Sequence, residues 1–145
     1  NIVTITDFPL PFDDDSFNLV LSYETIEHVY EYDQFVSELS RVSTPDGILI
    51  LTCPNVAWEI VHWLAAILNI NHSEGPHRFL ARRKLLHCFR KNRLRVLAEN
   101  STVILPFKNR FSISLNEKLE QYLPESIKQK IALRRIFILR KQTRI

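Results

Sequence analysis

Glu24, Glu27 and His28 stand at positions i, i+3 and i+4, a spacing that gathers two carboxylates and an imidazole on one face of a helical turn. Carboxylate oxygens suit Mg²⁺, and an added imidazole also suits Mn²⁺ or Zn²⁺. Without a metal, an imidazole so placed can take a proton from a hydroxyl group. Glu24, Glu27 and His28 are therefore candidate ligands of a divalent cation, and His28 alone is a candidate general base.

The elements that must position these groups follow from local pattern. Ile2 to Ile5 is expected as a strand, stopped at Asp7 because Pro9 and Pro11 forbid both helix and continued ladder. Asp13-Asp14-Asp15-Ser16 makes a polar turn, and Phe17 to Ser22 is apolar enough for a strand covered on both faces. A helix from about Asp33 to Ser43 places Phe35, Val36, Leu39 and Val42 on one stripe. Thr44-Pro45-Asp46-Gly47 reads as a turn and Ile48 to Thr52 as a strand. This alternation of strand, helix and strand predicts a parallel α/β sheet. Ala57 to Ile70 reads as an apolar helix with Trp58, His62 and Trp63, and Leu80 to Lys91 as a basic amphipathic one. Farther on, Leu94 to Leu97 and Val103 to Leu105 are candidate strands, Leu119 to Leu123 and Ile127 to Ile131 candidate helices, and Ile136 to Leu139 a terminal strand.

Composition sets the class. With 145 residues, 46% of them hydrophobic and 24% charged, the chain can bury one sizeable core. The net charge of +3 conceals an asymmetry: residues 1 to 50 hold ten acids and one base, Arg41, whereas the rest holds six acids and eighteen bases. The basic part reads as a solvated surface, with an anionic substrate, RNA or a membrane surface as the alternatives. Cys53 and Cys88 are too few for a zinc motif or a disulfide framework. The longest apolar stretch, Ala57 to Ile70, contains Glu59 and His62 and is too short to span a bilayer. A cytoplasmic location is the expectation. No Met occurs anywhere, so a fragment or processed chain is expected.

Taken in order, Asp7-Phe8-Pro9-Leu10-Pro11-Phe12, the acidic turn, Ser16-Phe17-Asn18-Leu19-Val20, Glu27-His28-Val29, Arg41-Val42-Ser43-Thr44-Pro45-Asp46-Gly47, an apolar strand and Pro54-Asn55 resemble class I S-adenosylmethionine-dependent methyltransferases. The likeness is close over residues 1 to 55 and loose over 75 to 140. It implies a Rossmann-like doubly wound sheet of strand order 3-2-1-4-5-7-6, with residues 2 to 5 as the third strand, 17 to 22 the fourth, 48 to 52 the fifth and 136 to 140 the antiparallel seventh. The first and second strands have no counterpart here, nor has the glycine-rich cofactor turn, since the only glycines are Gly47 and Gly75. The expected organisation is one partial domain, with residues 1–55 its core, 56–92 a helical substrate-side insertion and 93–145 the closing strands and helices.

The resemblance implies that Asp7 accepts from the adenine amino group of S-adenosylmethionine, that Phe8 offers its amide and apolar side to the ring, and that Ser22 and Tyr23 lie beside the methionine moiety. The Glu-x-x-Glu-His pattern is similar to metal-assisted O-methyltransferases of coenzyme Q synthesis and of small-RNA 2′-hydroxyl groups. In the RNA enzymes a later histidine completes the site, and His77 is its match, although Leu80 and Ala81 replace the residues that follow it there. Methylation of a small-molecule or sugar hydroxyl is the leading expectation, the acceptor being unidentified. RNA methylation and a non-catalytic interaction module that keeps only the sheet are the alternatives. The missing amino-terminal half of the domain is an expected partner.

Overall fold

The computed structural model describes residues 2–59, 78–104 and 110–142. Among these residues, β1 (Phe17–Ser22), β2 (Ser43–Pro54), β3 (Leu94–Thr102) and β4 (Arg134–Lys141) form one sheet in the order β1-β2-β4-β3. β1 and β2 run parallel, and β4 lies antiparallel between β2 and β3. This is the order expected for fourth, fifth, seventh and sixth strands, antiparallel member included. Among the described residues the helices are α1 (Tyr32–Val42), α2 (Arg82–Lys91), α3 (Arg110–Tyr122) and α4 (Glu125–Ile131).

Ile2 to Ile5 is not a strand; Ile2, Val3 and Ile5 are exposed and no ladder reaches them. A β-branched run supplies propensity, but a strand exists only through a neighbour. Among the described residues nothing pairs with the outer edge of β1. The expected third strand is therefore corrected to a segment without regular structure, in no ladder among the described residues.

β2 is longer than its apolar run predicts, because Thr44 to Gly47 bulges within the strand instead of ending before it. Phe17 pairs with Ser43, yet Leu19 already pairs with Ile48, so the extra residues bow outward. Gly47 is needed there: an added Cβ would lie 2.8 Å from Thr44 Oγ1 and 3.1 Å from the Phe17 carbonyl oxygen. β3 runs on to Thr102, and Val103 and Ile104 lie outside any strand. Of the apolar helix expected over Ala57 to Ile70, only the entry is described, a 3₁₀ turn at Val56–Trp58. His62 and Trp63 lie outside the described residues.

One face of the sheet carries the core. Partnered residues across a ladder share a face, which groups Leu49 with Leu139 and Leu51 with Phe137, all fully buried. Val36, Leu39 and Val42 of α1 and Leu85, Cys88 and Phe89 of α2 close over them. The Phe89 and Phe137 rings meet edge to face at 5.2 Å. Burial at this level stabilises by about 1.5–3 kcal/mol for each large apolar side chain. The opposite face joins Leu19 to Ile48, and Leu21 to Ile50 and Ile138. There Leu19 is 62% and Leu21 63% exposed.

Asn55 ties the end of β2 to the segment before β4. It is completely buried; its Nδ2 donates to the carbonyls of Gln129 and Ala132, each at 3.0 Å, and its Oδ1 accepts from the Ala57 amide. Among the described residues no helix is long and apolar enough to cross a membrane.

Candidate active site

Two structures meet at the carboxyl end of β1. The first is a tight corner, residues 22 to 28. Ser22 is buried, with an Oγ that meets no partner among the described residues. The chain then turns sharply at Glu24, whose φ of 46° is left-handed, a conformation that costs a non-glycine residue of order 1 kcal/mol or more. Two bonds hold it: the Glu24 amide donates to Thr52 Oγ1 of β2 at 2.9 Å, and Thr25 Oγ1 donates to the Tyr23 carbonyl at 2.9 Å. Ile26, 1% exposed, anchors the 3₁₀ turn Ile26–His28 in the core.

The side chains of this corner diverge. The Glu24 carboxylate pairs with Arg134 at 3.2 Å, and the same guanidinium lies 4.8 Å over the Tyr23 ring. Glu27 is buried, with an Oε2 that meets no donor among the described residues. Burial, and secondarily the Glu24 charge, pushes its carboxyl above the usual range, against opposing contributions from its backbone amide, His28 and Arg134. His28 points from the exposed side of the turn. The two carboxylates and the imidazole thus do not share one helical face as their spacing predicts. Glu24 precedes the turn in a left-handed conformation and is taken by Arg134. Among the described residues no group of three or more His, Cys, Asp or Glu side chains is placed to hold a metal ion. The cation corner, Mg²⁺ included, is thus without support among the described residues, and His77, its fourth candidate, lies outside them.

The second structure is a cleft of about 480 Å³. One wall is Ile5, Thr6, Asp7, Phe8 and Leu10; the other is Thr25, Val29, Tyr30, Glu31, Gln34 and Phe35. The Phe8 and Phe35 rings, both lining it, lie 6.2 Å apart at a tilt of 45°. Asp7 and Phe8 are bonded to each other, the Phe8 amide donating to Asp7 Oδ1 at 2.7 Å. A ligand that used the Phe8 amide would first have to displace that carboxylate oxygen. Thr25 and Val29 flank the 3₁₀ turn, so the cleft and the corner adjoin.

Three arginines absent from the sequence expectations organise this region. Arg134 covers the corner as described. Arg78 donates its amide to the Glu27 carbonyl at 3.1 Å and sets its guanidinium 5.9 Å from the Tyr30 ring and 5.6 Å from that of Tyr32. Arg41 ties the loop after Asp7 to α1. Only Arg41 carried a signal in the sequence, as the lone base among ten acids.

The profile of a methyltransferase-domain family matches residues 2–51, the stretch that builds both the cleft and the corner. Over those residues the chain is similar to a methyltransferase domain. Its likeness to individual members is partial. It is 41% identical over 46 residues to a probable S-adenosylmethionine-dependent methyltransferase of Mycolicibacterium smegmatis, covering 32% of this chain and 18% of that protein. It is 25% identical over 119 residues to the ubiquinone biosynthesis O-methyltransferase of Bartonella tribocorum, covering 77% of this chain and 47% of that one. The chain thus spans less than half the length of either relative. Among solved structures, an S-adenosylmethionine-dependent methyltransferase of Thermotoga maritima superposes with a TM-score of 0.63 at 16% identity, over 92% of this chain and 60% of its own. At that identity the likeness speaks for the fold.

Proposed function

We propose that this chain takes part in S-adenosylmethionine-dependent methyl transfer to a hydroxyl group of a small molecule or sugar. One observation carries the reading: the cleft walled by Asp7 and Phe8 is also lined by Thr25 and Val29, so the residues assigned to adenine share a cavity with the two residues that flank the turn bearing His28. The cleft offers a purine apolar ring surface to pack on and a carboxylate to accept from an exocyclic amine. Ser22 and Tyr23 are the residues assigned to the methionine end; the buried, unpartnered Ser22 Oγ suits a polar ligand there.

When bound, S-adenosylmethionine supplies an electrophilic methyl group on a sulfonium. The chain's own contribution is to orient and to keep water out. His28, on the exposed side of the turn, is the base that takes the hydroxyl proton. Residues 56–92 are assigned to the acceptor side, supported by the contacts of Arg78 with Glu27, Tyr30 and Tyr32. A second reading, an interaction module without catalysis, is favoured by the lack of any glycine-rich turn in the chain.

Titration calorimetry with S-adenosylhomocysteine separates the two. The expected result is binding that weakens about tenfold in Asp7→Ala, as for loss of a charged hydrogen-bond acceptor, with an unchanged circular dichroism spectrum. No binding by the unsubstituted chain, or binding indifferent to Asp7, overturns the reading of the cleft.

A further inference from the structure

The loop that forms one wall of the cleft cannot support itself. Pro9 and Pro11 have no N–H, and among the described residues the one backbone bond within the loop runs from the Phe12 amide to the Leu10 carbonyl at 2.8 Å. Its conformation comes from α1. Arg41 Nε donates to Glu38 Oε1 at 2.9 Å and Nη2 to Glu38 Oε2 at 2.8 Å. Nη2 also reaches the Leu10 carbonyl at 3.0 Å, while Nη1 serves both the Phe12 carbonyl and Asp14 Oδ1 at 2.8 Å. Every N–H of the guanidinium is thereby engaged. Glu38 Oε2 accepts in addition from the Leu10 amide at 2.7 Å. Leu10 thus gives both of its backbone groups to this one pair of side chains.

The same helix carries Gln34 and Phe35 on the facing wall. The Glu38–Arg41 pair therefore joins the two walls, as a tie that spaces them. We infer that Glu38 and Arg41 are positioning residues for the purine end of the cofactor, acting through Leu10 and Phe12 on Asp7 and Phe8 without touching the ligand. The inference rests on the reading of the cleft given above. Lysine cannot replace Arg41, because one ammonium cannot serve two carbonyls and two carboxylates in these directions. Asp14 is the dispensable member: its side chain is 74% exposed, and its bond holds neither wall.

The test is calorimetry of the chain with adenosine and with S-adenosylhomocysteine, combined with hydrogen exchange at the Leu10 amide and with thermal melting. Arg41→Lys and Glu38→Gln are expected to weaken both ligands about tenfold, by loss of charge-assisted bonds, and to speed Leu10 exchange while the chain stays folded at the assay temperature. Asp14→Asn is expected to leave both affinities within a factor of two. An exchange of charges, Glu38→Arg with Arg41→Glu, is expected not to restore binding, because the new pair no longer offers an acceptor to the Leu10 amide and donors to the two carbonyls. Restoration would mean that a bare ion pair suffices and would overturn the inference. If the unsubstituted chain binds and the substituted chains bind equally well, the inference fails and the reading of the cleft stands. If the unsubstituted chain binds neither ligand, both fall. An affinity loss that merely tracks the unfolded fraction also overturns it.

Discussion

The two faces of the sheet solve the same burial problem differently. On one, Leu49, Leu51, Phe137 and Leu139 are sealed beneath α1 and α2. On the other, Leu19 and Leu21 lie open and Ile48, Ile50, Ile136 and Ile138 are only half-buried. Strands of nearly continuous apolar character belong to sheets covered on both sides. The composition of β1 and β2 is therefore matched to two covering layers, of which the described residues supply one. Stability should reside on the sealed face and solubility should be decided on the open one.

The largest effect expected from that contrast is at Phe137, which packs on Phe89 in the sealed layer. Phe137→Ala should cost about 3–5 kcal/mol in urea-induced unfolding. A loss below 1 kcal/mol would mean that the layer is not the structural centre. Arg135 tests the sealed face from the other side. It shares that face with Phe137 and Leu139 and is only 7% exposed, and its Nε and Nη1 find no acceptor among the described residues. Burial holds its pKa below the ordinary value. Arg135→Leu should therefore stabilise the chain by about 1–4 kcal/mol, as when a poorly compensated buried charge gives way to an apolar residue. A destabilised variant would show that the guanidinium is compensated by groups beyond those described. The smallest change in stability belongs to the open face. Leu19→Thr and Leu21→Thr should each shift unfolding by no more than about 0.5 kcal/mol while raising the concentration at which the chain self-associates in sedimentation, since an unpaired apolar edge is a template for pairing. Unchanged association would place the sticky surface elsewhere.

The sealed face was the legible one. The stripe on α1 and the run from Ile48 to Thr52 declare themselves by period, because their partners are strong and nearby. Ile2 to Ile5 shows how propensity misleads when no neighbour is at hand to complete the ladder. Thr44 to Gly47 has the chemistry of a turn and behaves as a bulge, a difference decided by the register of β1 alongside. At the site, Asp7, Phe8 and the turn before His28 were legible as residue types. What could not be read was the fate of Glu24, since neither its left-handed backbone nor its pairing with Arg134 lies in local sequence. Arg134 itself stood in a run of bases near the end of the chain, with nothing to distinguish it from Arg135.

The anchoring of Asn55 bears on the order in which the chain is made. Its amide group is satisfied by the Ala132 carbonyl, 77 residues later, and the free edge of β2 closes only when β4 arrives to pair with it. On a ribosome, β2 must then wait with one edge bare and a buried amide unsatisfied until β4 has emerged. Pairings of such long range are slow to form, and a strand left open in the interval is a natural client for a chaperone.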